Sequence, residues 1–352
     1  MTFSAFDHPY LSALVGDDEV AGFFTLEAEI EAMLAFESAL ARAEARWGLI
    51  PAVAAAEIEA CCERFSPDLD RLRAGIARDG VVVPELVKHV RETLGDDARP
   101  HLHMGATSQD VIDTALVLRL KGVCEILFSR LVALRGAMEK VEETFGTNVL
   151  MGHTRMQAAI PITVADRVRA WREPLDRHVT ELKRFEATGL VIQFGGAVGT
   201  LEKLGDKAEA VRRTMAEELG LSDTPQWQSQ RDRIAGFGSL LSLLTGSLGK
   251  FGQDIALLAQ AGREISLAGG GASSAMAHKQ NPVAAEVLVT LARYNASQVG
   301  GLHQALVHEQ ERSGAAWTLE WMILPSMIAC TGASLRLADR LVGDIRGIGR
   351  EA

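Results

Sequence analysis

The sequence predicts an all-α protein built around a bundle of long helices. Apolar residues recur at intervals of three and four over several long stretches, which is the period of an amphipathic helix. Aromatic residues make up only 5% of the 352 residues, whereas the helix-forming residues alanine and leucine are abundant. No stretch alternates between apolar and polar residues for long enough to predict a substantial sheet.

The beginning of the chain is predicted to form a small helical domain. One helix is expected from about Phe24 to Trp47, because Gly48 and Pro51 then end the pattern. Short helical pieces and loops follow, interrupted by further glycines and prolines. We therefore assign residues 1–100 to an N-terminal helical domain.

The next residues, 101–345, are predicted to form the central bundle. The apolar stripe from Ile112 to Val141 indicates one helix, which at 1.5 Å per residue is about 45 Å long. A second helix is expected over 162–185, and Pro174 inside it predicts a kink. Apolar residues over 234–258 follow a repeat of about 3.5 residues, which favours coiled-coil-like packing.

Two further helices complete the predicted bundle, one after Pro282 and one starting near Trp317. Long helices bury an apolar stripe only against partners of similar length, so a bundle is the expected architecture. The helix after Pro282 carries polar residues within its apolar pattern, and a bundle that continues across subunits could satisfy them. These residues are Asn295, Gln298, His303 and His308.

Charge and composition narrow the possible partners. The net charge of -10 argues against a nucleic-acid partner, because phosphate binding needs a basic face. Any anion site must then be built from local cations and helix N-termini. No apolar run approaches the roughly 20 residues that span a bilayer, so no membrane partner is expected, and Met1–Gly16 lacks a signal-peptide pattern. The four cysteines are expected to be reduced thiols, which predicts a cytoplasmic location.

The most informative segment runs from Gly269 to Pro282 and reads GGGASSAMAHKQNP. Its consecutive glycines allow positive φ angles, and hydroxyl, imidazole, ammonium and amide groups follow within a few residues. Pro282 suits the first turn of a helix, whose free N–H groups attract anions. Such a loop could stabilise a developing carboxylate dianion, and spacing alone fits a solvated Gly/Ser linker as well.

A second segment, from His103 to Ala115, reads HMGATSQDVIDTA and opens the first long helix. Thr107 and Ser108 can cap that helix and offer hydroxyl donors beside its positive end. A helix cap without any other role fits the same residues. His101 lies beside His103, but no further ligand cluster accompanies the pair, so no metal site is predicted.

These segments resemble conserved blocks of the fumarase/aspartase superfamily. The loop is similar to the superfamily pattern Gly-Ser-Ser-x-Met-Pro-x-Lys-x-Asn-Pro and departs from it at Ala272 and Ala277. The resemblance implies that Ser273 transfers the proton next to a substrate carboxylate. It implies that Lys279 and Asn281 hold that carboxylate as it becomes an enediolate.

The helix-opening segment resembles the first conserved block of the superfamily, in which a Thr-Ser pair binds a substrate carboxylate. Its sequence, His-x-Gly-Ala-Thr-Ser-Gln-Asp, is most similar to that of the cycloisomerase branch. The resemblance implies that Thr107, Ser108 and His103 bind substrate.

A third block, Gly152–Thr163, reads GHTRMQAAIPIT and resembles the pattern Gly-Arg-Thr-His-x-Gln-x-Ala-x-Pro-x-Thr. His153 stands where arginine is usual, and Arg155 stands where histidine is usual. Cycloisomerases of the superfamily also lack that histidine, and a guanidinium can bind a carboxylate through two parallel hydrogen bonds. The resemblance implies that Arg155 and Gln157 contact substrate and makes His153 a further candidate for catalysis.

Two more stretches are similar to the cycloisomerase branch. They are QWQSQRDR at 226–233 and HEQERSGAAWTLEW at 308–321. The first makes Arg231 a candidate for substrate binding, and a solvated charge cluster fits the same residues. The stretch GGAVGT at 195–200 precedes no strand–helix unit and lacks a Walker lysine, so we expect an interhelix loop.

The resemblance implies a cycloisomerase that lactonises 3-carboxy-cis,cis-muconate, a tricarboxylate of the protocatechuate branch of the β-ketoadipate pathway. One carboxylate adds to the conjugated alkene, the electrons collect on another as an enediolate, and a proton is delivered to the adjacent carbon. No cofactor is implied. A homotetramer with shared active sites is implied, and the superfamily's further C-terminal helical domain is expected to be largely absent from this sequence.

Other functions remain open at this point. The first alternative is an adenylosuccinate or argininosuccinate lyase-type enzyme of the same superfamily. A non-catalytic relative, like the lens crystallins, is disfavoured because Ser273, Lys279 and Asn281 are all present. An unrelated structural bundle would require the loop to have arisen by chance.

Overall fold

The computed structural model describes residues 4–272, 276 and 280–351, and it is 68% helical. The all-α fold class expected from the sequence is confirmed. The helices in chain order are α1 (Ser12–Val15), α2 (Asp18–Ala21), α3 (Leu26–Arg46), α4 (Ala52–Arg64), α5 (Leu69–Asp79), α6 (Val83–Thr93), α7 (Ser108–Phe145), α8 (Val164–Gly189), α9 (Ala208–Leu219), α10 (Asp232–Ala261), α11 (Val283–Gln304) and α12 (Gly314–Gly343).

The strands of the described residues are short and form three separate two-stranded antiparallel sheets, so no substantial sheet is present there. The strands are β1 (Val149–Thr154), β2 (Gln157–Thr163), β3 (Ile265–Leu267), β4 (Gly271–Ala272), β5 (Gln280–Asn281) and β6 (Ile345–Ile348). β1 pairs with β2, β3 with β6, and β4 with β5.

The longest N-terminal helix, α3, lies close to its predicted position. Thr25 caps it by accepting a hydrogen bond from the amide of Ala28, and the helix stops before Trp47. α3 packs against α4, α7 and α9. The N-terminal helices therefore share one hydrophobic core with the bundle.

Five long helices, α7, α8, α10, α11 and α12, form the predicted bundle. α7 has 38 residues and is therefore about 57 Å long, longer than its apolar stripe suggested. The helices of the bundle pack side by side, α7 on α8 and α12, and α10 on α8 and α11. Pro174 lies inside α8, and the kink expected there stays a prediction.

One end of the bundle, which we call the capped end, holds the N-terminus of α7. Thr114 of α7 accepts a hydrogen bond from the amide of Gln193, just after α8. Arg233 at the start of α10 donates to the carbonyl of Thr188 in α8. Trp317 at the start of α12 donates to Asp113 of α7. The N-termini of α7, α10 and α12 therefore lie together with the C-terminus of α8.

The opposite end, which we call the hairpin end, holds the β1–β2 hairpin that follows α7. Glu264, just after α10, accepts a hydrogen bond from the amide of Met151 in β1 at 3.0 Å. The amide of Ala268 donates to the carbonyl of Asp344, just after α12, at 2.7 Å. The C-termini of α7, α10 and α12 therefore lie at this end, and α11 starts here.

Of the four polar residues predicted on the fourth long helix, Asn295 lies in the core and His308 lies outside the helix. Asn295 is buried, and its amide donates to the Thr331 hydroxyl at 3.0 Å and to the carbonyl of Met327 at 3.3 Å. Its donor group is thus satisfied within one chain and does not require a partner subunit. His308 does not lie on this helix, because α11 ends at Gln304.

Two helices, α10 and α12, are long and apolar enough to cross a membrane by length and composition alone. The core helix of a soluble protein passes the same test, and 61% and 72% of their most apolar windows are buried inside this structure. Burial within the bundle accounts for their apolar composition. The four cysteines are all free thiols, as expected.

Candidate active site

The capped end is organised by the first turn of α7. Thr107 has an extended backbone and is the N-cap, and its amide donates to the carboxylate of Asp110 at 3.0 Å. Ser108 is the first helical residue and is partly exposed. The positive end of the helix and two hydroxyl groups therefore lie together, which suits an anion.

Asp110 fixes the neighbouring loop as well. It accepts hydrogen bonds from the side chain of Gln193 at 3.0 Å and from the amides of Gly195 and Gly196 at 2.8 and 2.9 Å. Burial raises the pKa of Asp110 to about 6, and these bonds oppose the rise. The glycine-rich stretch 195–200 lies between α8 and α9, so the predicted interhelix loop is confirmed.

Arg312 points into the same region, and our sequence reasoning did not select it. Its guanidinium donates to the side chain of Gln109 at 2.9 Å, to the Thr107 hydroxyl at 3.2 Å and to the carbonyl of Ala197 at 3.2 Å. Arg312 is half-buried and brings a positive charge to the hydroxyl expected to bind a carboxylate. The only sequence signal was its place in the HEQERS stretch.

Arg231, which we predicted to bind substrate, lies buried between two carboxylates. Its guanidinium is 1% exposed and forms ion pairs with Asp113 at 2.6 Å and with Glu320 at 2.5 Å. It also lies over the ring of Trp227, 4.8 Å from the centroid. Every nitrogen of the guanidinium donates to one of these two carboxylates. Arg231 therefore ties α10 to α7 and α12, and four of its five N–H donors are used on these two carboxylates.

His103 lies five residues before Ser108, the first residue of α7, and has a left-handed backbone conformation with φ of 61°. Its Nδ1 is 2.6 Å from Oε1 of Glu37 on α3. Burial lowers the pKa of His103, but the charge and hydrogen bond of Glu37 outweigh that effect and raise it. His103, which we predicted to contact substrate, therefore combines a backbone conformation of raised energy with an imidazole of raised pKa.

The hairpin end carries the third block. Arg155 and Met156 form the turn between β1 and β2, and both have positive φ, 47° and 65°, as a type I′ turn requires. Non-glycine residues adopt such angles at a cost, and strain of this kind clusters at functional sites. His153, Arg155 and Gln157 are all exposed at this tip.

The loop that carries the superfamily pattern also lies at the hairpin end. Its described flanks form β4 and β5, in which Gly271 pairs with Asn281. Asn281 is partly exposed and precedes α11 by one residue. Ser273 and Lys279 lie outside the described residues.

The structure therefore brings the predicted residues together in two groups. His103, Thr107 and Ser108 lie at the capped end, whereas the hairpin tip and Asn281 lie at the other end of the bundle. The length of α7 separates the groups by about 50 Å or more. Among the described residues, no group of three or more His, Cys, Asp or Glu side chains could hold a metal ion.

Comparisons with known proteins identify similar chains. A family model described as a lyase matches residues 14–301. The 3-carboxy-cis,cis-muconate cycloisomerase of Pseudomonas aeruginosa is 40% identical over 327 residues, which cover 91% of this chain and 71% of that enzyme. The N-acetyl-S-(2-succino)cysteine lyase of Enterococcus italicus is 30% identical over 333 residues, which cover 93% and 73% of the two chains.

Solved structures give a similar result. The crystal structure of the 3-carboxy-cis,cis-muconate lactonizing enzyme from Pseudomonas putida matches with a TM-score of 0.90 at 36% sequence identity. The match covers 96% of this chain and 77% of that one. The long-helix bundle is therefore shared along almost the whole of the present chain.

Proposed function

This chain belongs to the lyase family of the fumarase/aspartase superfamily and is an enzyme, and on that premise we propose that it is a 3-carboxy-cis,cis-muconate cycloisomerase. The observation that carries the proposal is Arg155, which occupies the position of the histidine usual in the superfamily and lies exposed at the tip of a strained hairpin. Relatives named as this cycloisomerase, at 34–40% identity, support it.

The proposed substrate carries three carboxylates, and the two ends of the bundle offer matching groups. Thr107, Ser108 and the N-terminus of α7 bind one carboxylate, with Arg312 adding charge. Arg155, with Gln157 beside it, binds a second through parallel charge-assisted hydrogen bonds.

The third carboxylate receives the electrons, and Lys279 and Asn281 stabilise it as an enediolate. In the reaction, an oxygen of one substrate carboxylate bonds to an alkene carbon and closes the lactone ring. The electron pair of that alkene moves onto the enediolate, and Ser273 delivers a proton to the carbon beside it. His153 is the second candidate for that transfer. Ser273 recovers its proton from water, so the reaction takes up one proton overall, and the product, 4-carboxymuconolactone, is an isomer of the substrate when both are written as free acids. Polar addition and proton transfer of this kind need no cofactor.

Each active site is proposed to combine segments of different subunits in a homotetramer. The separation of the capped end from the hairpin tip supports sharing, because one rigid bundle cannot fold its own ends together. The apolar side chains of Met156 and Ile160 support it further, since both are largely exposed on the hairpin, at 75% and 69%.

The enzyme acts in the cytoplasm, on a small tricarboxylate of the protocatechuate branch of aromatic-ring catabolism. Its domains are residues 1–100 and the bundle of residues 101–345. Neither nucleic acid nor a membrane is a partner.

The test is an ultraviolet assay for loss of the conjugated diene of 3-carboxy-cis,cis-muconate, with Ser273→Ala as the matched inactive control. We expect the wild-type enzyme to consume the diene and the variant to leave it nearly unchanged. The alternative is a lyase that releases fumarate from a succinyl compound, favoured by the similarity to the Enterococcus italicus enzyme. Fumarate release from succinocysteine, adenylosuccinate or argininosuccinate, without diene loss, would overturn the cycloisomerase proposal.

A further inference from the structure

A buried carboxylate from the N-terminal helices reaches the capped end of the bundle. Glu37 on α3 is 2% exposed, and its Oε1 is 2.6 Å from Nδ1 of His103. Among the described residues, this is the one hydrogen bond of the Glu37 carboxylate, because its other oxygen is buried without a partner. A carboxylate this deeply buried stays ionised only beside a positive partner, and the imidazole is the group that can supply it.

The backbone around His103 is arranged to hold this contact. His103 has a φ of 61°, an angle that side-chain-bearing residues adopt rarely. Arg91 on α6 donates to the carbonyl of Leu102 at 2.9 Å and so fixes the residue just before it. In this conformation one imidazole nitrogen, Nδ1, lies on Glu37. The other, Nε2, makes no hydrogen bond to any described residue, and the side chain remains 16% exposed.

We propose that Glu37 is a positioning residue that holds His103 as an imidazolium, with Nδ1–H on Glu37 and Nε2–H free to donate to the substrate carboxylate at the N-terminus of α7. The inference rests on the proposed function and adds to it a residue from the N-terminal helices. Thr107 and Ser108 supply neutral donors there, so the imidazolium adds a full charge to the subsite.

The charged groups around the pair favour this state. Glu37 on α3 and Asp110 on α7 both raise the pKa of His103, whereas burial and Arg91 on α6 lower it. Glu44 lies about two turns further along α3 than Glu37. It is fully buried, and neither of its oxygens has a partner among the described residues. Burial, with a smaller contribution from Glu37, raises the pKa of Glu44 to about 9. Glu44 is therefore neutral at pH 7 and does not compete for the imidazolium.

The test compares Glu37→Gln with Glu44→Gln, a matched pair of isosteric changes in one helix. In protein labelled with ¹³C at histidine Cε1, the His103 signal is assigned from its loss in His103→Gln, and its titration is followed by NMR. We expect Glu37→Gln to lower the titration midpoint of His103 by about one pH unit or more, and Glu44→Gln to leave it unchanged. Glu37→Asp should restore part of the shift. An unchanged midpoint in Glu37→Gln would overturn the proposal.

Kinetics give a second readout. At pH 7.5 we expect Glu37→Gln to raise KM for the tricarboxylate about tenfold, with a smaller effect on kcat, and the KM defect should shrink as the pH falls and His103 regains its proton. A defect in KM that is independent of pH would contradict the proposal. The NMR titration needs no substrate, so it tests the Glu37–His103 pair even if the enzyme proves inactive on the muconate, a result that would count against the proposed function alone.

Discussion

Arg231 and Arg155 allow a direct comparison between a buried, ion-paired guanidinium and an exposed one that we propose to bind substrate. We predict opposite consequences for Arg231→Met and Arg155→Met. Arg231 is buried between Asp113 and Glu320, whereas Arg155 is exposed at the hairpin tip. The first variant should lose stability, and the second should lose substrate binding.

The loss of stability in Arg231→Met depends on which hydrogen bonds remain to the two carboxylates. Without Arg231, Asp113 retains hydrogen bonds from Trp317 at 3.0 Å and Gln109 at 3.2 Å. Glu320 retains none from the described residues. Breaking one partner out of a buried ion pair costs about 3–5 kcal/mol, and two carboxylates are affected here, so we expect the upper part of that range. Arg155→Met changes an exposed residue at an unchanged φ, so its free energy of unfolding should stay within about 0.5 kcal/mol of wild type.

Urea unfolding at pH 7, followed by circular dichroism at one fixed protein concentration, measures the stability of both variants. Loss of diene absorbance gives KM, which we expect to rise about tenfold to a hundredfold in Arg155→Met, the effect of losing a charge-assisted pair. A normally stable Arg231→Met enzyme with a raised KM would refute our account of Arg231. An Arg155→Met enzyme with wild-type KM would remove Arg155 from the substrate contacts.

Three further predictions concern other parts of the molecule. Ser273→Ala should lower turnover at least about a hundredfold with little change in binding, and Ser274→Ala should be milder; a larger loss at Ser274 would reverse the assignment. Burial raises the pKa of Glu44 to about 9, whereas a glutamate in the unfolded chain has a pKa of about 4.3. Between these pH values the folded protein holds a proton that the unfolded chain has released, so the free energy of unfolding falls as the pH rises. Glu44→Gln should therefore unfold at higher urea than wild type at pH 8 and at a similar concentration at pH 5; parallel pH curves would contradict this. Sedimentation equilibrium should give the mass of four chains for the active species, and an active monomer would exclude shared sites.

The long helices were predictable because their information is local. A stripe of apolar residues at helical spacing is visible in any window, and the N-cap Thr107 with Asp110 three residues later marks where α7 begins. The positions of α3, α7 and α10 follow from such patterns to within a few residues at most ends. The same local reading placed Thr107 and Ser108 at a helix N-terminus.

The β1–β2 hairpin could not be predicted in the same way. Type I′ turns are normally recognised in a sequence by Asn-Gly or a similar pair, whereas here Arg155 and Met156 adopt the required positive φ angles. The block was recognisable as a conserved pattern, but the pattern does not reveal that its side chains project from an exposed tip.

Contacts between distant segments account for the other differences. Arg231 lies in a charged cluster that fits solvent or substrate equally well, and its actual partners are 118 and 89 residues away in Asp113 and Glu320. Arg312 donates to Thr107 from 205 residues away. Glu37 and His103 are separated by 66 residues. Pairings of this kind are set by how the helices pack, which no single stretch of sequence specifies.

We propose that one active site combines the capped end of one chain with the hairpin tip of another. The most direct measurement mixes two impaired chains, a Thr107→Ala, Ser108→Ala double variant and Arg155→Met, by joint unfolding and refolding. Each variant refolded alone should have little activity. The equal mixture should regain up to about a quarter of wild-type diene consumption, because some sites in the mixed tetramers then receive both intact segments. Activity no higher than the mean of the two separate variants would show that both segments of each site come from the same chain, and would contradict the account.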